Sequence, residues 1–219
     1  MNGTARPPLL LALDTATGIA SLGVHDGERV LAETTWLAGR EHSTHLLVEV
    51  DRVLVRIGRT AANLTGLVVA RGPGSFTGVR VALSVAKGMA AALNIPLWGV
   101  STLDILAYAA GIVDLPVRPV VDAGRGRVAT ALYRNGRCVE AMRGVTTSEL
   151  VALMHEPTVV LGDLSADARR ALSSGTPARL MGVAASLRRA GYLAELGWQA
   201  CEAGDPGDPA GLEAVYLSR

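Results

Sequence analysis

Leu9-Leu10-Leu11-Ala12-Leu13-Asp14-Thr15-Ala16-Thr17-Gly18 decides the class of the fold. Five apolar residues in a row, closed by an aspartate, have the form of a strand buried on both faces. Thr15 to Gly18 turns the chain, and Ile19 to Val24 runs on as a second strand. Asp26-Gly27 is a strong hairpin dipeptide and leads into a third strand from Arg29 to Thr35. The same opening recurs further along. Pro119-Val120-Val121-Asp122 is again an apolar run ended by aspartate, Ala123 to Gly126 turns into Val128–Tyr133, and Asn135-Gly136 turns into a strand near Cys138.

After each meander the period changes. Leu46, Val50, Val53, Leu54 and Ile57 follow helical spacing within Ser43 to Ile57. A short apolar strand, Leu67 to Ala70, precedes the loop Arg71 to Gly78 and a helix to about Leu93. Ile95-Pro96 ends that helix, because proline restricts the residue before it and cannot continue the turn. Leu97 to Val100 is a strand, and Ser101-Thr102 can cap a helix to about Ala110. In the second half, helices over Ser148–Met154 and Ser165–Leu172 flank a strand at Thr158–Leu161. Residues 183 to 203 have the pattern of a closing helix, Gly204 to Gly211 is a Gly/Asp/Pro linker, and Leu212 to Arg219 is a tail. One layout used twice predicts two similar lobes. The expected division is 8–111, then a smaller 112–182, then 183–219 as helix, linker and tail.

Composition narrows the function. The 219 residues are 49% hydrophobic, with a mean hydropathy of +0.31, which is apolar enough to expect surface hidden against another subunit. The longest apolar candidate, Val81 to Leu93, is interrupted by Ser84, Lys87 and Gly88. As an uninterrupted run it falls short of the roughly 18–20 residues of a membrane span. Met1 to Pro8 lacks the apolar core of a signal peptide, so the expectation is a cytoplasmic protein that does not enter a membrane. The net charge is +1, from 21 basic and 20 acidic residues. That balance argues against a broad nucleic-acid grip by this chain alone. Cys138 and Cys201 form no CxxC pair, so the sequence offers neither a structural zinc site nor a disulfide framework.

Each motif has a functional and a structural reading. Asp14 and Thr15, at a tight turn, have the groups to hold a hydrated magnesium ion or a phosphate, or simply to bond their own turn. The loop Gly72-Pro73-Gly74-Ser75-Phe76-Thr77-Gly78 brings backbone close to a ligand or partner, with Ser75 or Thr77 placed to cap the next helix. It is not a P-loop, a dinucleotide fingerprint or a nucleophile elbow: no GxxxxGK exists in the chain, Thr77 stands at the third glycine of GxGxxG, and Pro73 and Thr77 flank Ser75 where GxSxG needs glycines. His42 and His45 share a helical face but make too few ligands for zinc. Asp122 echoes Asp14, which leaves open a nucleotide-dependent site built on both carboxylates.

The two helices around this loop are too apolar to be covered on one side only. Leu47, Val48 and Val55 lie off the core stripe of the first. On the second, Val81, Val85, Met89 and Ala92 form a further apolar face beside Val79, Leu83, Ala86, Ala90 and Leu93, with Arg80 and Lys87 the only charges. A helix apolar nearly all round is buried on both sides. The cover is either the second lobe or another protein.

Leu11-Ala12-Leu13-Asp14-Thr15-Ala16-Thr17, Arg40-Glu41-His42-Ser43, Arg71 to Arg80, and Pro96-Leu97-Trp98-Gly99-Val100-Ser101-Thr102-Leu103 resemble the TsaB (YeaZ) family, as does the terminal Glu213 to Arg219. The similarity is dense from residue 9 to about 110 and patchy beyond. It implies an actin/Hsp70-like (ASKHA) α/β fold of two lobes, each a mixed sheet flanked by helices. It also implies a non-catalytic scaffold that heterodimerises with TsaD, the subunit that transfers threonylcarbamoyl to the adenosine beside the tRNA anticodon. A TsaE-type ATPase joins the same complex, and tRNA is reached only through that complex. The family's TsaD members hold their metal on a histidine pair, HxxxH, where this chain reads Val100-Ser101-Thr102-Leu103-Asp104. The resemblance therefore implies no catalytic residue, metal or cofactor here. It places the TsaD contact on the two apolar helices, which in an isolated chain would also support a homodimer. The alternatives are an actin-like nucleotide-dependent enzyme using Asp14 and Asp122, or a metallopeptidase-like protein.

Overall fold

The computed structural model describes residues 7–38 and 42–217, with 42–45 described by their backbone alone. The chain divides into two compact units. One comprises residues up to Arg71, Thr77–Val100 and Arg189–Ala214; the other comprises Gly72–Phe76, Ser101–Arg188 and the segment from Val215.

The first unit is built on strands β1 (Leu10–Asp14), β2 (Ile19–His25), β3 (Val30–Leu37), β4 (Gly66–Ala70) and β5 (Leu97–Val100), in the order β3-β2-β1-β4-β5. The meander β1-β2-β3 is antiparallel, and β4 and β5 add on in parallel. Helices α1 (His42–Arg56) and α2 (Phe76–Leu93) bury Leu46, Val50, Leu54, Ala82, Leu83 and Ala86 with Leu9, Leu11 and Leu13. The alternate residues of β1 face the other way, so a strand with no polar residue before Asp14 needs cover there too. That cover is α6 (Ala190–Glu202), which packs on β1 and β2. It approaches so closely that a Cβ at Gly197 would stand 2.7 Å from the Val68 side chain.

The second unit repeats the layout. Its strands β6 (Val117–Asp122), β7 (Arg127–Arg134), β8 (Arg137–Thr146), β9 (Thr158–Gly162) and β10 (Ala178–Leu180) follow the order β8-β7-β6-β9-β10, the order of the first sheet with every strand number raised by five. Helix α3 (Thr102–Ala109) covers one face through Leu103, Leu106 and Ala107 against Val117, Val121 and Ala129. Helices α4 (Thr147–Ala152) and α5 (Ala166–Ser173) cover the other through Leu150 and Leu172 against Val120, Val145 and Val160. The helix after each unit's last strand thus covers a sheet of the other unit. Two mixed sheets of identical order, each with helices on both faces, make this the actin/Hsp70-like architecture.

Several elements differ from the sequence reading. The closing helix starts at Ala190, not near 183; residues 183–189 are irregular and place Ser186 and Arg188 in the second unit's interior. Arg188 makes a two-pronged ion pair with Asp163 at 3.0 and 3.2 Å. The Gly/Asp/Pro stretch is anchored along β5. Trp98 Nε1 donates to the Asp205 carbonyl (3.0 Å), Asp208 N–H to the Leu97 carbonyl (3.0 Å) and Lys87 Nζ to the Ala210 carbonyl (3.1 Å). Strand β10 and a 3-10 turn at Ala61–Asn63 were not expected. Because α2 begins at Phe76, it reaches 18 residues, and by length and composition alone it could cross a membrane. The uninterrupted-run criterion missed this, since it began counting at Val81.

Candidate functional site

The outward surface of α1 and α2 is the most unusual feature of the first unit. On α1, Leu47, Val48 and Val55 are 54%, 46% and 63% exposed, while Leu46, Val50, Val53 and Leu54 fill the core. On α2 the core face is Val79, Ala82, Leu83, Ala86 and Ala90. Its outward stripe is Arg80, Ser84, Gly88, Ala91 and Ala92, residues spaced at helical intervals and nearly all small. Of the second apolar face expected there, Ala92 is exposed, whereas Val81, Val85 and Met89 are half-buried and pack on the flank of the core. The sequence marks Ala82, Gly88, Ala90, Ala91 and Ala92 as small residues that permit close helix approach; of these Gly88, Ala91 and Ala92 face outward, Ala82 and Ala90 are buried, and Ser84 joins the outward stripe. Both helices lie on one side of the sheet, so the unit offers exposed apolar side chains on α1, with Asp51 one turn from both Leu47 and Val55 and Arg52 one turn from Val48, and a stripe of mostly small residues on α2. A surface of this kind accepts another helix at close range.

The glycine loop is shaped by its own backbone. Gly72 has φ +100°, which only glycine adopts freely, the Gly72–Pro73 peptide is cis, and Gly74 has φ +159°. The Gly72 carbonyl accepts from Thr102 N–H (2.9 Å) at the start of α3. Ser75, Phe76 and Thr77 are exposed, and the Phe76 ring stacks at 5.2 Å on Tyr216 of the tail. Gly78 is buried at the first turn of α2, and its carbonyl accepts the Thr15 hydroxyl at 2.6 Å. Asp14, buried at the end of β1, accepts the Ala16 N–H at 2.7 Å. Asp122, exposed at the equivalent end of β6, accepts the Gly124 N–H at 2.9 Å. The echo between the two aspartates is therefore one of turn geometry: each carboxylate closes the turn that follows its strand.

The segment matching the TsaD histidine pair holds no ligand set. Ser101 caps α3 by accepting Leu103 N–H, Thr102 is fully buried, and Asp104 accepts the Tyr133 hydroxyl at 2.5 Å. Burial, reinforced by the Asp104 carboxylate, holds the Tyr133 phenol far above its ordinary range. Partial desolvation and the same carboxylate push the neighbouring, solvent-exposed Cys138 thiol up as well, the opposite of what a nucleophilic cysteine needs. Among the described residues no group of three or more His, Cys, Asp or Glu is placed to hold a metal ion. The side chains of His42 and His45, and residues Arg40 and Glu41 of the family motif, lie outside the described residues.

Comparison with known proteins gives this geometry a family. Residues 36–163 match the family model for TsaD, tRNA N6-adenosine threonylcarbamoyltransferase. The tRNA threonylcarbamoyladenosine biosynthesis protein TsaB of Bacillus subtilis (strain 168) is 35% identical over 125 residues, 57% of this chain and 55% of that protein. The chain thus spans about half the length of the curated relatives it matches. The structure of YeaZ from Pseudomonas aeruginosa aligns with a TM-score of 0.81 at 27% identity, covering 96% of this chain and 100% of that one. The ethanolamine utilization protein EutJ from Carboxydothermus hydrogenoformans, at 15% identity and a TM-score of 0.57 over 88% of this chain and 91% of its own, shares the fold alone. With a family model matched over more than half its length and a YeaZ structure over nearly all of it, the chain belongs to the TsaB (YeaZ) family.

Proposed function

We propose that this chain is a non-catalytic scaffold subunit in tRNA threonylcarbamoyladenosine synthesis. It pairs with a TsaD-type catalytic subunit through α1 and α2. In that pairing it supports transfer of threonylcarbamoyl to the adenosine next to the anticodon, with a TsaE-type ATPase joining the complex and tRNA engaged by the assembly. The observation that carries this reading is the outward apolar surface of α1 (Leu47, Val48, Val55) beside the small-residue stripe of α2. Leu47, Val48 and Val55 are already about half-buried, so completing their burial at a partner contributes on the order of 1 kcal/mol each, and glycine and alanine let the helices approach closely. Isolated, the chain uses the same surface to form a homodimer.

The nucleotide-dependent alternative has less support, because Asp14 and Asp122 each spend a carboxylate oxygen on their own turn. The test is reconstitution with a TsaD-type subunit, the ATPase with ATP, unmodified tRNA and threonylcarbamoyl adenylate as the donor, which releases AMP on transfer. Modified tRNA should form only when this chain is added, and this chain alone should form none. Product from this chain alone, or an unchanged yield in its absence, refutes the scaffold role.

A further inference from the structure

The near-neutral charge of the whole chain conceals a strong local asymmetry. Residues 123–146, the β7–β8 hairpin with its leading turn, carry Arg125, Arg127, Arg134, Arg137 and Arg143 against a single acid, Glu140. That segment is +4 in a chain of net +1, so everything else sums to −3. All five arginines are exposed. Their pairing is incomplete. Arg134 is bonded to Glu156, and Glu140 is shared between Arg143 (3.1 Å) and the buried Arg118 (3.0 Å). Arg127 donates to the Gly144 carbonyl, and the Glu149 carboxylate stands close enough to feel its charge without a hydrogen bond to it. Neither Arg125 nor Arg137 has a carboxylate partner among the described residues. Strand β8 is the outermost strand of its sheet. At a rise of about 3.3 Å per residue the ten residues of β8 run roughly 30 Å; Arg137 and Arg143 lie on that strand, Arg127 and Arg134 on the neighbouring β7, and Arg125 in the turn before β7.

We propose that the β7–β8 ribbon is an RNA-contacting surface, gripping the sugar–phosphate backbone through Arg125, Arg127, Arg137 and Arg143. A protein partner would want an apolar centre depleted of charge, and the only large exposed hydrophobic residue on the hairpin is Val139. A polar, positively charged, extended surface fits a phosphate ladder, and each guanidinium fork matches a phosphate. The inference goes beyond the subunit surface of the first unit; only the choice of tRNA as the RNA rests on the proposed role.

The test is a fluorescence-anisotropy titration of the full chain with an unmodified tRNA transcript at about 50 mM salt and upwards. Four phosphate contacts predict that log K falls against log salt with a slope of about −3. Arg125→Asn combined with Arg137→Gln should cut that slope by about half and weaken binding at the lowest salt about a hundredfold. Asn suits position 125 because Arg125 has φ +56°, and unchanged melting confirms that the variant is folded. Arg170→Gln, which removes an equally exposed charge paired with Asp167 on α5, should bind as the parent does. The inference is overturned if the parent does not bind at the lowest salt, if the double variant binds like the parent, if Arg170→Gln is weakened equally, or if polyglutamate displaces tRNA as well as unlabelled tRNA does. Leu47→Glu should leave RNA binding intact. Loss of TsaD pairing and loss of RNA binding are therefore separable failures of the two proposals.

Discussion

Two helical glycines of the first unit should respond to the same substitution with opposite signs. Gly88 sits mid-way along α2, and a Cβ there meets nothing within 4 Å. Gly88→Ala therefore collects the helix-propensity gain alone, about 0.8–1 kcal/mol. Gly197 sits mid-way along α6, where a Cβ would lie 2.7 Å from both Cβ and Cγ2 of Val68. Val68 cannot retreat, since β4 is hydrogen-bonded to β1 on one side and β5 on the other. Overpacking of this kind costs about 1–3 kcal/mol, which exceeds the propensity gain and leaves a net loss of roughly 1–2 kcal/mol. Trp36, Trp98 and Trp198, all the tryptophans of the chain, belong to the first unit. Tryptophan fluorescence in a urea titration therefore follows the unit being perturbed. The midpoint should rise for Gly88→Ala and fall for Gly197→Ala. Equal shifts, or shifts in the same direction, would refute the packing of α6 on the sheet and the openness of α2.

Tyr133→Phe removes a buried hydroxyl that donates to the Asp104 carboxylate and should lower stability by about 1.5–3 kcal/mol, read by denaturant unfolding of the second unit with circular dichroism. The exposed Cys138 thiol, held up by partial desolvation and the Asp104 charge, should show an alkylation-rate midpoint above that of an ordinary thiol in a Cys201→Ser background, and Asp104→Asn should bring it down. Glu149 closes the capping box of α4, and hydrogen bonds from the Thr146 backbone and side chain hold its carboxyl below the usual range. Its stabilising effect is therefore present above the unfolded-state pKa and is lost as pH falls through the lower folded value; Glu149→Gln should lower stability near neutrality, change little below the folded-state pKa, and so flatten the acid limb of the stability profile.

The duplicated layout was readable because it rests on local chemistry: aspartate-ended apolar strands, Asp26-Gly27 and Asn135-Gly136 turns, and the period change into α1 and α2. What escaped depends on contacts distant in sequence. Val183 to Leu187 carries a helical pattern, but the chain there is held irregular while Arg188 reaches Asp163, 25 residues earlier. Ala178–Leu180 is too short to announce a strand and becomes one only by pairing with β9. The Gly/Asp/Pro stretch has a linker's composition, yet its backbone groups bond to β5 and Trp98. On α2, periodicity separated two apolar faces but could not show that Val81, Val85 and Met89 flank the core. The exposed face instead belongs to Ser84, Gly88, Ala91 and Ala92. The arginine ribbon was hidden for a simpler reason: summing charge over the whole chain averages it away.

The proposed subunit contact rests on the exposed apolar side chains of α1. Leu47→Glu combined with Val55→Glu places two charges on residues that are more than half exposed, so folding stability should move by no more than about 0.5 kcal/mol. Desolvating those charges at a subunit contact should weaken it by at least about 3 kcal/mol, more than a hundredfold. Calorimetric titration of the double variant against the TsaD-type subunit of the same cell is the direct measurement. The account predicts tight binding by the parent chain and none detectable by the folded variant; equal affinity for the two would contradict it.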